Sequence, residues 1–310
     1  MASLEVESLT KRYGRARGIE DVTFAVERGE VFGYLGPNGS GKTTTIRCIL
    51  GLLRPSRGAV RVLGQRVVPG RATQHARLGY LPGEFRIWGR FKARYALSTL
   101  AALGGRGATT RCRELAERLD LNLNRPVGDL SKGNRQKVAI LYALQHQPEV
   151  LILDEPTAGL DPLMRQVVLD LIRESAQAGS AVLLSSHDLS EVSAVCGRAG
   201  ILREGQLVEL APISRIVQQG EHRLKVWFQN GAAIADLSRQ PLPGVRVIEQ
   251  QPGMLHLAYQ GTADAVLKWV TQFPVDRIAT PETSLEEAFI QYYRLPHGVA
   301  PGRMRGGDRP

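Results

Sequence analysis

At 310 residues the chain is long enough to bury one large core and a second, smaller one. Hydrophobic residues make up 43% of it, which excludes a wholly disordered protein, and no apolar run approaches the ~20 residues that cross a bilayer. A net charge of +10 suits nucleic acid, an anionic membrane surface or anionic nucleotides alike, so charge alone selects none of them. The start "MASLEVESLT" lacks the basic stretch and apolar core of a signal peptide, so a soluble chain is expected, with any membrane role exercised through a partner. Cys48, Cys112 and Cys196 stand far apart with no CxxC pair, which points to a reducing compartment and no structural zinc.

The first informative run is "EVFGYL" (30–35), which reads as a buried strand. "GPNGSGKTTTIRCILGLL" (36–53) follows it. Gly36, Gly41, Lys42 and Thr43 hold the fixed places of the phosphate-loop pattern G-x-x-x-x-G-K-[ST]. Pro37, Asn38, Gly39 and Ser40 fill the loop, and Thr44 continues into a helix expected to run to residue 53, with Ile46, Ile49 and Leu50 on one side. Backbone N–H groups freed by the glycines can curl around β- and γ-phosphates at a helix N-terminus. Lys42 would reach the phosphates as a point charge, and the Thr43 hydroxyl would ligate Mg²⁺.

Residues 84–130 change character. "KARYALSTLAAL" (92–103) and "TTRCRELAERLDL" (109–121) read as amphipathic helices, the second with Leu115 and Leu119 inward. "DLSKGNRQK" (129–137) is, on its own terms, either a polar helix start capped by Ser131 or a phosphate-contacting element built on Ser131 and Gly133. "EVLILDEPTAGLD" (149–161) carries the unbroken apolar run of a central parallel strand, and Asp154 emerges at its carboxyl end. Asp154 would hold Mg²⁺ through its water shell, while Glu155 would polarise an attacking water; the alternative is two acids that start a solvent turn before Pro156. "GSAVLLSSHDLSEV" (179–192) supplies another apolar run ending in Ser185, Ser186 and His187. If that strand lies parallel to the others, His187 lands on the same sheet edge as Lys42 and Asp154, near the γ-phosphate and the attacking water.

Two strand-like runs flank Gly205, and "APISRIVQQG" (211–220) closes the first domain as a helix. Beyond it, "HRLKVWFQ" (222–229) and "GMLHLAYQ" (253–260) alternate as half-buried strands. "GTADAVLKWVTQF" (261–273) suits a helix with Ala265, Leu267 and Val270 inward, and "TSLEEAFIQYYR" (283–294) a second helix, capped through Thr283 or Ser284 with Glu286 or Glu287. The pattern predicts a small α+β accessory domain over 221–295 with no catalytic constellation, then a disordered Gly/Pro/Arg-rich tail over 296–310.

Taken in order, these motifs resemble the ATPase subunit of ABC transporters over about residues 3–220, in the branch that exports drugs and antibiotics. The resemblance implies a P-loop NTPase core of α/β class with a mostly parallel sheet, an antiparallel β subdomain and a helical insert at about 84–147. It puts Tyr13 of "LTKRYG" (9–14) where a ring stacks on adenine, and Asp161 of "AGLD" (158–161) in the loop that communicates across a dimer. "LSKGNRQ" (130–136) occupies the signature position usually filled by LSGGQ, with Lys132 in place of a glycine and Asn134 in place of the glutamine. The family's glutamine after "GYLP" (79–82) is missing: Gly83 and Glu84 stand there, and Glu84 is a candidate contact to Mg²⁺ or the water. The implied protein is an ATP- and Mg²⁺-dependent exporter subunit, cytoplasmic and peripheral on the inner face of the cell membrane. It would pair head-to-tail as a homodimer, with Lys42 of one chain and Ser131 of the other in each site. A separate multi-spanning permease would dock on the helical insert, with Phe85, Trp88 and Phe91 either in that dock or packed internally. Nucleic acid is not expected as a partner. The rival is an ABC ATPase acting on ribosomes or DNA, disfavoured by the single nucleotide domain and the lack of a long coiled coil.

Overall fold

The computed structural model describes residues 2–14, 16–70, 77–85, 89–103, 109–218, 222–229, 242–259 and 263–280. Trp88, the 283–294 helix with its capping residues and the 296–310 tail lie outside them. The chain divides into two compact units, Met1–Ala211 and Pro212–Pro310.

The first unit opens with two long strands, β1 (Ala2–Tyr13) and β2 (Ala16–Glu27), paired antiparallel. Next come β3 (Val31–Leu35), α1 (Lys42–Ile49), β4 (Arg57–Val62), β5 (Gln65–Arg66) and β6 (Leu78–Leu81). Then α2 (Ala93–Leu103), α3 (Thr109–Arg118) and α4 (Lys132–Leu144) lead to β7 (Val150–Asp154), α5 (Pro162–Gln177) and β8 (Ala181–Ser186). The unit closes with α6 (Leu189–Val195), β9 (Arg198–Arg203) and β10 (Gln206–Pro212). The strands form a four-stranded antiparallel sheet, β2-β1-β4-β5, and a six-stranded sheet, β10-β9-β3-β8-β7-β6. From β9 to β6 each neighbouring pair of the larger sheet is parallel.

Strands β3, β7 and β8 are buried at every residue, which is why they read as continuous apolar runs rather than alternating ones. One core fills the space between the two sheets, where the rings of Phe24 and Phe32 stack at 5.2 Å. Leu183 of β8 is fully buried in it, so Leu183→Ala should destabilise the chain by about 2–5 kcal/mol in urea unfolding, through lost transfer energy and the cavity left behind. Register fixes the sheet's carboxyl edge: Leu35 lies beside Ser186, and Ser185 beside Asp154. Ligands of open α/β sheets bind at such an edge.

Helix α1 is shorter than its apolar pattern suggested. It stops at Ile49 because Gly51 (φ +69°) donates to the Cys48 carbonyl and Leu52 to the Arg47 carbonyl, a Schellman ending. The helical insert is laced to its return path by backbone bonds from Ala93 to Arg125, Arg94 to Leu123 and Val127 to Phe91. Leu115 and Leu119 are buried, as their spacing predicted. Phe85 packs 6.4 Å from the ring of Tyr142, whereas Phe91 remains 54% exposed, so the two aromatics have different surroundings.

In the second unit, α7 (Ile213–Gln218) precedes an antiparallel sheet of order β12-β13-β11-β14, made of β11 (His222–Phe228), β12 (Val245–Gln251), β13 (Met254–Tyr259) and β14 (Val275–Ala279). Helix α8 (Ala263–Val270) packs with it in a separate core. Strand β11 alternates in burial, but β13 is buried throughout, His256 included. The inward face of α8 is Val266, Trp269 and Val270; Ala265 is exposed. The i, i+3, i+4 spacing of these three larger side chains brings more apolar area to the sheet than a face centred on Ala265.

Candidate functional site

The phosphate loop links β3 to α1, and its backbone is unusual where the pattern demands glycine. Gly41 takes φ +112° as the residue before α1, and a Cβ there would lie 2.6 Å from Ile19 Cγ2. No other residue type fits both constraints. The loop is braced from outside: the Gly205 N–H donates to the Ser40 carbonyl at 2.8 Å, and Glu20 N–H to the Gly205 carbonyl at 2.8 Å. Lys42 is buried, and its ammonium folds back onto the carbonyls of Gly36 and Pro37. Burial pushes the Lys42 ammonium below its ordinary value, while the carboxylates of Glu155 and Asp154 pull it back up. Ser40 Oγ is buried without a hydrogen-bond partner, so the loop holds unmet polar capacity.

The acidic end of β7 faces this loop. Asp154 is 5% exposed; its Oδ2 accepts a 3.3 Å bond from the Thr43 hydroxyl and its Oδ1 a 2.9 Å bond from Ser185 Oγ. Glu155 follows with φ +54°, a left-handed backbone uncommon for a residue with a long side chain. That turn aims its carboxylate sideways: Oε1 lies 3.8 Å from Lys42 Nζ, and Oε2 lies 2.6 Å from His187 Nδ1. The His187 side chain is 62% exposed, so the Glu155–His187 pair stands at the mouth of the site and Lys42 at its floor. Lys42, Thr43, Asp154, Glu155 and His187, drawn from three strand ends, are thus brought into one chain of contacts.

Ser131 caps α4, its Oγ accepting the Asn134 N–H at 3.2 Å, and it is exposed. Gly133 lies against the loop after β7: a Cβ there would sit 2.9 Å from the Gly159 carbonyl. The stem of Lys132 also runs beside Gly159.

A family model described as ABC transporter matches residues 19–158. The chain is 30% identical over 300 residues to the bacitracin transport ATP-binding protein BcrA of Bacillus licheniformis, a match covering 93% of this chain and 96% of that protein. The chain belongs to the ABC transporter family. Nod factor export ATP-binding protein I of Ralstonia nicotianae is 32% identical over 251 residues, covering 79% of this chain and 75% of that protein. A solved structure of an ATP binding subunit of an ABC transporter aligns with TM-score 0.66 at 33% identity, over 70% of this chain and 92% of that one. The chain is accordingly an ATP-binding subunit and an ATPase with the ABC cassette fold.

In this ABC ATPase, Tyr13 ends β1, is 42% exposed and has Lys11 Nζ 5.5 Å from its ring centroid. It is tied to the phosphate loop through Gly18, whose added Cβ would lie 3.4 Å from the Tyr13 ring, and through Gly205, packed against Gly18. At the position of the missing glutamine, a Cβ on Gly83 would stand 3.5 Å from Asp154 Oδ2, so a side chain there would overhang the carboxylate. Glu84, one residue on, is exposed. Asp161 caps α5 by accepting the Met164 N–H at 3.0 Å, which holds its carboxyl below the usual range. Pro37, Asn38 and Gly39 line the outer turn of the loop, and Thr44 is half-buried on the first turn of α1.

Two supporting residues escaped the sequence reading. Ser185 anchors Asp154, and setting the polar ends of β7 and β8 in parallel register would have found it. Gln136 is buried and donates to the carbonyls of Glu155 (3.2 Å) and Pro156 (2.9 Å), joining α4 to the loop that carries Glu155. No local pattern marks that contact.

Proposed function

We propose that this subunit drives a membrane exporter of drugs, antibiotics or other amphiphiles by hydrolysing Mg-ATP between two head-to-tail copies of itself. The carrying observation is the joining of Lys42, Glu155 and His187 in one site while Ser131 stands exposed at the start of α4. Lys42 binds the β- and γ-phosphates as a point charge. The Thr43 hydroxyl and the Asp154 carboxylate, hard oxygen donors already in contact, fit Mg²⁺ and would hold it; the ion would supply neutralisation of phosphate charge. Glu155 takes the proton of the attacking water, and His187 orients that water and the γ-phosphate. Ser131 and Gly133 of the partner copy, at the N-terminus of α4, close over the same γ-phosphate, and Asp161 carries the state of one site to the other.

No helix among the described residues is long and apolar enough to cross a membrane, so a separate permease supplies the path. The helical insert, with Phe91 exposed, docks on it from the inner face. The C-terminal unit serves dimerisation, regulation or simply stability, and Tyr13 stacks on adenine. The name of the Nod factor relative, an export ATP-binding protein, favours an exporter. Affinity purification from detergent-solubilised membranes tests this: a multi-spanning protein should co-purify, and Mg-ATP should shift the purified subunit to a dimer. Recovery with ribosomes instead, or a monomer under Mg-ATP, would sink the proposal.

A further inference from the structure

Behind the contact between His187 and Glu155 lies a second carboxyl, Glu191, that has no part in the nucleotide contacts described above. Glu191 stands in the first turn of α6 and is 5% exposed. One of its oxygens accepts a short hydrogen bond from the Thr157 hydroxyl, and the other accepts from Ser186 Oγ at 3.2 Å. Thr157 follows Glu155 and Pro156 in the turn that leaves β7. Ser186 ends β8 and immediately precedes His187. The Ser186 hydroxyl also accepts the Asp188 N–H at 2.9 Å, so the turn carrying His187 is closed by the oxygen that bonds Glu191.

A carboxyl taken out of water is costly unless its oxygens are bonded, and burial pushes the Glu191 carboxyl up while its hydroxyl partners pull it down. Leu189 and Val192 already fill the buried face of the same helix. A group needed only for packing would be apolar, as these two are. What Glu191 adds is a rigid hydroxyl–carboxyl–hydroxyl bridge between the segments that deliver Glu155 and His187. Catalytic groups need their separation held to about half an ångström, and a side chain as exposed as His187 does not hold itself.

We propose that Glu191 is a positioning residue for ATP hydrolysis, fixing the separation of Glu155 and His187 through Thr157 and Ser186. It rests on the roles given above to Glu155 and His187, and acts through them without touching nucleotide. The test is steady-state hydrolysis by the full chain. Glu191→Ala should lower kcat about tenfold and leave KM for ATP within about twofold of the parent. Glu191→Gln keeps an acceptor for Thr157 and should recover to within about threefold of parental kcat. In a His187→Ala background, Glu191→Ala should cost less than about twofold more, because the side chain it positions is gone. Thr157→Val, nearly equal in volume, should behave like Glu191→Ala and carries the same expectations if Glu191→Ala does not fold. Equal losses in both backgrounds would show a merely structural role and overturn the proposal. Parental kcat in Glu191→Ala and Thr157→Val, or a loss confined to KM, would overturn it as well. Parental rates in Glu155→Gln and His187→Ala would instead overturn the parent reading, and this inference with it.

Discussion

Glu155→Gln will bind Mg-ATP and hydrolyse it about a thousandfold more slowly than the parent chain. The substitution is isosteric, and the amide can still bond His187 Nδ1, which lies 2.6 Å from Oε2 in the parent. Its backbone demand is also unchanged, since Glu155 already occupies φ +54° and glutamine meets the same constraint. What disappears is the proton acceptor. Binding holds or tightens, because one negative charge is removed 3.8 Å from Lys42, where the γ-phosphate must arrive. Single-turnover hydrolysis and equilibrium titration with a fluorescent ATP analogue separate the two effects. A parental rate would move the role away from Glu155; a collapse of binding would make its contact with Lys42 structural.

Ser131→Arg will abolish measurable hydrolysis, a drop of at least about a hundredfold, while a single chain keeps its affinity for ATP. Ser131 is exposed, so among the described residues an arginine there has room to extend. The lost cap at Asn134 N–H costs only about 1 kcal/mol, too little to unfold the cassette. A long cation at the start of α4 would fill the space that the proposed dimer gives to the partner's phosphate loop. The Mg-ATP-dependent dimer should vanish with the activity, and Ser131→Ala, which removes the hydroxyl and adds no bulk, should lose less. Loss of ATP binding together with hydrolysis would show that Ser131 serves its own chain and not the partner's.

The strand–loop–helix around Lys42 was legible because its constraints are local: apolar run, glycines at fixed spacing, then helix. Strands β7 and β8 were legible for a related reason, since parallel strands covered on both faces leave unbroken apolar runs in the sequence. Helix ends were less so. The apolar pattern continues past Ile49 through Leu53, and only the Schellman bonds at Gly51 show where α1 stops. Periodicity also failed to centre the buried face of α8, where the bulk of Trp269 outweighs the pattern around Ala265. In β13 the sequence shows alternation, but the structure buries Met254, His256 and Ala258 too, because which faces are covered is decided by other segments. The bond from Thr157 to Glu191 and the reach of Gln136 to the Glu155 carbonyl join residues 34 and 19 positions apart. Bonds of that kind follow from the meeting of strand ends and leave no periodic trace.

The left-handed backbone of Glu155 has an evolutionary consequence. A glutamate in that region is strained relative to glycine or asparagine, by something on the order of 1 kcal/mol. Variants with either residue there would relax the turn after β7 and gain robustness to heat while losing the carboxylate between Lys42 and His187. A library screened for thermal tolerance alone would therefore drift toward cassettes that lack this carboxylate. On the role proposed for Glu155, selection for turnover is what would keep a glutamate where the backbone favours glycine or asparagine.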